Sequence, residues 1–212
     1  MTSGRPQSDQ ERLWRGPFGS EYISRNVPDD AKLAALSVHW ARVLRGTVGE
    51  PPRSLLEVGA NIGLNLRALS RVTTADLYAL EPNEDARARL RKDAVLPADR
   101  IFDGVASNIP MGDGQADLVM TSGVLIHIHP DDLLASCSEI VRVARRWVVC
   151  AEYFSDVEQE VLYRGHQAAL FKRDFGAFYL DNFPDLTLVD YGFAWKRATG
   201  LDNLTWWLFR KH

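Results

Sequence analysis

Residues 54–66, SLLEVGANIGLNL, most constrain what this chain can fold into. An apolar run of strand length ends in a glycine turn, and a helical pattern follows at once. A strand that enters a helix in this way opens a doubly wound α/β sheet, in which ligands sit at the carboxyl ends of the strands. Gly59 and Gly63 stand where the backbone must turn tightly and approach that ligand closely. Glu57 lies two residues ahead of the turn, and Glu81 ends the next strand. An acid in the second position can accept both hydroxyls of a ribose, and Pro82-Asn83 fixes the turn that frames it.

The rest of the chain continues the alternation. Strands are expected at 54–59, 76–81, 100–105, 116–122 and 146–154. Helices are expected at 62–71, 84–94 and 131–144, with a further, mostly helical insertion over about 155–180, broken at Gly165. Two last strands, 187–195 and 204–210, form a hairpin through Gly200, with Trp195, Trp206 and Trp207 in its core. Ahead of the sheet, Leu33, Leu36, Trp40, Val43 and Leu44 recur at helical spacing, capped by Asp29 or Asp30. The expected architecture is a mostly parallel α/β sheet with an antiparallel C-terminal hairpin and helices on both faces. Residues 1–50 form an N-terminal helical lid segment, loose over 1–12, and 51–212 the core domain.

Composition closes off other classes. Apolar residues make up 46% of 212 residues, enough for a sizeable core. A net charge of −3 argues against a nucleic-acid surface. Two cysteines, Cys137 and Cys150, are too few for a disulfide framework. The start lacks a signal core and no apolar run reaches membrane length, so a cytoplasmic protein without membrane contact, monomer or homodimer, is expected.

Two details narrow the ligand. A dinucleotide turn reads GxGxxG, because a pyrophosphate needs bare amides at a helix N-terminus. Here the turn reads Gly59-Ala60-Asn61-Ile62-Gly63, which breaks the pattern. A carboxylate such as Glu57 repels a pyrophosphate and attracts a cation. S-adenosylmethionine carries a sulfonium, an amino group and a ribose, and no phosphate. Asn61 either contacts its methionine part or simply tolerates a left-handed backbone.

EVGANIG resembles the E/D-x-G-x-G-x-G motif of class I S-adenosylmethionine-dependent methyltransferases. LEPN (80–83) resembles their acidic ribose motif, and residues 104–128 resemble their third and fourth motifs. The resemblance implies a Rossmann-like fold with Glu57, Gly59, Asn61, Gly63, Glu81, Pro82 and Ser122 around the cofactor. Val105 stands where an acid often contacts the adenine amine, which leaves the Val105 and Ala106 backbone, or Asn108, for that role. WRGPFGSEYISRN, SGVLIHIHPDDL, YRGHQAALFKRDF and LVDYGF further resemble methylases associated with pseudaminic acid biosynthesis. That resemblance implies a small-molecule acceptor in a biosynthetic pathway.

The acceptor side follows from the same rim. His127 and His129 share a face if their segment is extended, without a third ligand at metal spacing. The resemblance places His127 near the active site, where a neutral imidazole can take a proton; a hydrogen-bonded structural role is the alternative. Glu152 and Tyr153, at the end of the fifth strand, are expected to line the acceptor pocket. Arg164 and His166 are expected to contact the acceptor, His166 also as a base. Phe18 and Tyr22 are i, i+4 neighbours if helical. They either pack on the core or close over the cofactor as a lid, in which Tyr22 meets the cofactor and Phe18 the acceptor, with polar contacts to the acceptor from Arg25 or Asn26. The acids and bases together favour N-methylation of an amino-acid-like, guanidino or amino-sugar acceptor, with O-methylation open. A nicotinamide oxidoreductase and a non-catalytic S-adenosylmethionine-binding protein are the rivals from other classes.

Overall fold

The computed structural model describes residues 7–165 and 169–212. Three helices precede the sheet: α1 (Asp9–Arg15), α2 (Pro17–Ile23) and α3 (Asp30–Leu44). Ser8 caps α1 by accepting from the Glu11 N–H, and Asp29 caps α3 through the Lys32 N–H. The polar 9–12 stretch, expected to be loose, is therefore helical. Apolar periodicity misses α1 because it buries no residue fully.

The sheet core alternates as the pattern predicts: β1 (Ser54–Val58), α4 (Leu64–Leu69), β2 (Asp76–Leu80), α5 (Glu84–Lys92), β3 (Ile101–Phe102), β4 (Ala116–Ser122), α6 (Pro130–Val143) and β5 (Ala144–Glu152). The chain then forms β6 (Gln159–Glu160), β7 (Phe171–Lys172), α7 (Phe175–Asn182), β8 (Leu186–Ala194), α8 (Lys196–Thr199) and β9 (Leu204–Lys211). Seven strands lie in the order β3-β2-β1-β4-β5-β9-β8. The first five are parallel neighbours; β9 runs antiparallel to both β5 and β8. The order reverses between β1 and β4, which puts the switch point at the ends of these strands.

Both faces are covered, as a parallel sheet requires. One face packs Leu56, Val58, Val119 and Val148 against α6 and α7; the other packs Leu55, Leu118 and Met120 against α3 and α4, with Trp40 and Trp206 fully buried. Among the described residues no helix is long and apolar enough to cross a membrane.

Two further expectations fail. The 155–180 insertion is not a helix: β6 and β7 pair antiparallel, Gln159 opposite Lys172, and helix begins only at Phe175. Arg164 and Gly165 adopt left-handed φ values of 53° and 85°, which a helix cannot continue through. Asp174 caps α7 by accepting from Ala177 N–H, so the true helix start lies where the charged run ends. Trp195 is 53% exposed rather than core, because it precedes the short α8 that interrupts the hairpin. Trp206 and Trp207 are buried as expected.

Candidate active site

A cavity of about 810 Å³ opens at the carboxyl ends of β1, β2 and β4. Its volume lies in the upper part of the ~300–1,000 Å³ range of small-molecule sites, with space for more than one small ligand. The β1 turn forms its floor. Gly59 (φ 73°) and Asn61 (φ 47°) are both left-handed and both line the cavity. Gly63 (φ 76°) does not line it. A Cβ there would meet Leu90 Cδ2 at 2.7 Å, so packing against α5 demands this glycine, not ligand approach.

Glu57 is 2% exposed and faces the cavity. Its Oε1 accepts from Asn65 Nδ2 at 2.7 Å, and Asn65 Oδ1 accepts from Trp40 Nε1 at 3.0 Å. An indole N–H only donates, so Trp40 fixes which way the Asn65 amide points. Oε2 has no partner among the described residues. Burial pushes the carboxyl up to about 8; the Asn65 hydrogen bond opposes this and the nearby Glu81 adds to it. An unpaired, buried carboxylate oxygen at a cavity wall is stabilised by a cationic ligand and by little else.

Glu81 is held differently. Its Oε2 accepts from Asn61 N–H at 2.7 Å and its Oε1 from Asn83 N–H at 2.8 Å. Each oxygen keeps a lone pair for a ligand hydroxyl. Burial raises its pKa, against the two backbone hydrogen bonds and the Arg87 and Arg15 charges. Pro82, Val105, Ala106 and Ser122 line the same cavity. The Asn61 side-chain oxygen is buried without a partner among the described residues, a second orphan acceptor at the turn.

The N-terminal helices sit over this end. Asn83 Oδ1 caps α5 at Ala86, while its Nδ2 donates to Trp14 O at 3.1 Å and to Gly16 O at 3.4 Å. Arg15 donates to Pro82 O at 3.0 Å and to Asp103 at 2.7 Å. The residues after the ribose-position acid thus hold α1 and α2 in place. Tyr22 and Asn26 line the cavity. Phe18 does not; it packs edge-on against Trp14 at 5.3 Å. Arg25, exposed, lies over the Tyr22 ring and is not a wall residue.

His127 belongs to a 3-10 turn, Leu125–His127, rather than an extended segment. The extended alternation is therefore absent; His129 caps α6 through Asp131 N–H, and both histidines line the cavity. No group of three potential metal ligands occurs among the described residues. His127 Nδ1 lies 2.6 Å from Ala169 O. A carbonyl only accepts, so Nδ1 carries the proton and Nε2 is left as an acceptor. Burial lowers its pKa to about 4, so the ring is neutral. It stands 4.7 Å from the Trp14 ring and 5.0 Å from that of Tyr163.

Glu152 does not line the acceptor side. It is fully buried and accepts from the Val124, Leu125 and Ile126 N–H groups, which shapes the turn that carries His127. Strand β5 ends at this residue, so its side chain points inward and Tyr153 reaches the cavity instead. Arg164 is exposed, rests over the Tyr163 ring and does not line the cavity. His166 lies outside the described residues. Sequence reasoning missed Trp14, Asn65, Lys196 and Asp202, all of which line the cavity. Trp14 and Asn65 stand inside the stretches WRGPFGSEYISRN and SLLEVGANIGLNL, but no local pattern marks them as wall residues; the Trp40–Asn65 pairing across α3 and α4, which would have flagged one, is long-range.

Residues 56–150 match a family described as a methyltransferase domain. No curated protein matches the chain in sequence. Among solved structures, 1,6-didemethyltoxoflavin-N1-methyltransferase of Burkholderia thailandensis, with bound 1,6-didemethyltoxoflavin and S-adenosylhomocysteine, aligns with a TM-score of 0.69 at 19% identity. The match covers 98% of this chain and 92% of that one. Magnesium protoporphyrin IX methyltransferase of Synechocystis PCC 6803, with bound S-adenosylhomocysteine, aligns at 0.67 and 13%, covering 95% and 98%. An S-adenosylmethionine-dependent methyltransferase of Aquifex aeolicus aligns at 0.63 and 14%, covering 91% and 98%. At these identities the likeness is one of fold: a Rossmann-like methyltransferase sheet over nearly the whole chain.

Proposed function

We propose that this chain, whose residues 56–150 match a methyltransferase domain, is an S-adenosylmethionine-dependent enzyme that methylates nitrogen on a polar small molecule. The observation that carries the donor is the orphan Oε2 of buried Glu57 beside a turn that breaks the dinucleotide pattern. A sulfonium- and amine-bearing ligand draws out the ionised form of that carboxyl and pairs with it; a pyrophosphate only holds it neutral. Glu81 holds the ribose hydroxyls, Asn61 Oδ1 and Glu57 the amino-acid end, and Val105 and Ala106 the adenine. Bound there, S-adenosylmethionine supplies a methyl group already activated on sulfur; its transfer to a nitrogen lone pair leaves S-adenosylhomocysteine and releases one N–H proton.

The protein's contribution is mainly to position the acceptor and exclude water. Helices α1 and α2 act as the lid, anchored by Asn83 and Arg15 beside Glu81. His127 accepts a hydrogen bond at Nε2 from the acceptor amine and so aims its lone pair. The resemblance to methylases associated with pseudaminic acid biosynthesis supports an acceptor drawn from a biosynthetic pathway.

Calorimetric titration with S-adenosylmethionine, S-adenosylhomocysteine and NADH tests the donor. Micromolar binding of the first two without the third is expected; binding of NADH alone overturns the reading. For the acceptor step, His127→Asn keeps a donor for Ala169 O and loses Nε2. Turnover is expected to fall about 10- to 100-fold, with S-adenosylhomocysteine affinity unchanged. An unaltered rate reduces His127 to a structural residue.

A further inference from the structure

We propose that the recess walled by Trp14, Tyr22, Tyr153 and Tyr163, with Asp202 at its rim, is an aromatic cage that selects an acceptor carrying an aliphatic ammonium group. The inference rests on the methyl-transfer reading above and names the chemistry its acceptor must have.

The recess is assembled from four separate segments. Trp14 and Tyr22 come from α1 and α2, Tyr153 from the end of β5, Tyr163 from the β6–β7 connection and Asp202 from the loop before β9. All five line the one cavity, and none is fully buried. The Trp14 and Tyr22 rings meet edge to face at 5.3 Å, and His127 lies between Trp14 and Tyr163 at 4.7 and 5.0 Å. The cage therefore opens directly on the imidazole assigned to orient the nucleophile. The Tyr22 and Tyr153 hydroxyls face Tyr163 and Asp202: after burial, the charges of these neighbours help raise both phenols' pKa values. Aromatic rings carry their negative charge on their faces, so a recess walled by four of them favours a cation over an anion. Ring faces of this kind, backed by a carboxylate, attract ammonium cations.

Four cations lie nearby; Arg25 over Tyr22 at 5.9 Å, Arg164 over Tyr163 at 5.5 Å and Lys172 do not line the cavity, so they leave its side of these rings free, and of the four only Lys196 borders it. Lys172 Nζ sits over the Tyr153 ring at 5.6 Å from its centre. Lys196 pairs with Asp202 at 3.2 Å, but both side chains are more than half exposed, so water screens the pair and a ligand can displace it.

The test compares choline with 3,3-dimethylbutan-1-ol, its uncharged carbon isostere, by calorimetry or ligand-observed NMR. Each is titrated into the full chain with and without saturating S-adenosylhomocysteine. Choline is expected to bind at least about tenfold more tightly than the isostere, in line with a cation–π and carboxylate site. Asp202→Asn, at an exposed position that leaves folding intact, is expected to remove most of that preference. Tyr153→Leu is expected to do the same, and both variants should leave S-adenosylhomocysteine affinity unaltered. Equal binding of the two probes, no binding of either, or an undiminished preference in Asp202→Asn overturns the cage. Choline preference without S-adenosylhomocysteine binding keeps the cage and overturns the donor assignment. The reverse result keeps the donor and overturns the cage.

Discussion

Glu81→Ala is expected to lower S-adenosylmethionine affinity by at least 100-fold. That factor corresponds to about 2.7 kcal/mol, the scale of one or two charge-assisted hydrogen bonds to the ribose hydroxyls. The geometry adds a second loss. The same carboxylate pins the Asn61 and Asn83 N–H groups at 2.7 and 2.8 Å. Asn61 carries the left-handed turn, and Asn83 holds the N-terminal helices. Alanine leaves two donors without a partner, at a cost of about 1–3 kcal/mol each, and loosens both walls of the cavity. Glu81→Gln separates the effects. It retains the volume and one acceptor oxygen, but presents an NH2 group to one of the two backbone donors. A smaller melting shift than alanine is expected, together with a loss of affinity nearly as large. Calorimetry and thermal melts on both variants check this. Wild-type affinity in folded Glu81→Gln would sink the assignment of the ribose acid.

The floor of the site was legible in the sequence because it is local. A strand, a glycine turn, a helix and a second strand occupy 54–81, and their order fixes where Glu57 and Glu81 lie. Gly63 was legible as a glycine but not by its reason, which is Leu90 of a later helix. The acceptor side was read less well because it is made by long-range convergence. Glu152 stands at the predicted strand end, but the direction of its side chain depends on three N–H groups of the 124–126 segment, 26 to 28 residues away. The alternating histidines read as extended; instead the chain coils into a short turn around that carboxylate. The 158–180 stretch carries good helix formers, and tertiary pairing of Gln159 with Lys172 overrides them. Asp202 follows no pattern at all; its place comes from the hairpin that α8 interrupts.

The free protein is expected to be most stable near pH 5.5 and to lose roughly 2 kcal/mol by pH 8.5. Three buried carboxyls set the upper side, Glu57, Glu152 and Glu81, the last also raised by burial. Glu57 is pushed up to about 8, chiefly by burial, and Glu152 to about 7, also by burial and against the hydrogen bonds it accepts from Leu125 and Val124. Each holds a proton in the folded state that the unfolded chain gives up near its ordinary value of 4.5. Their contribution is complete below that value and is lost as pH rises through 7 to 8. His39 and His127 act on the other side. Burial lowers both to about 4 from 6.5, so their contribution falls as pH drops below 6.5, where the unfolded chain takes up protons that the folded one refuses, and this offsets the carboxyls' gain. For a chain of this size the alkaline loss corresponds to a melting temperature lower by about 4–8 °C. A cation beside Glu57 stabilises its carboxylate, so saturating S-adenosylhomocysteine, whose amino group belongs there in the proposed pose, should flatten the alkaline limb. Glu57→Gln should flatten it without ligand, by removing the titrating group while keeping the hydrogen bond from Asn65. Thermal melts at pH 5.5 and 8.5, with and without S-adenosylhomocysteine, measure all three curves. If Glu57→Gln declines as steeply as the native chain, the alkaline loss belongs to Glu152 and the turn beneath His127 or to Glu81, and the orphan oxygen at the cavity floor is not what senses the ligand's charge.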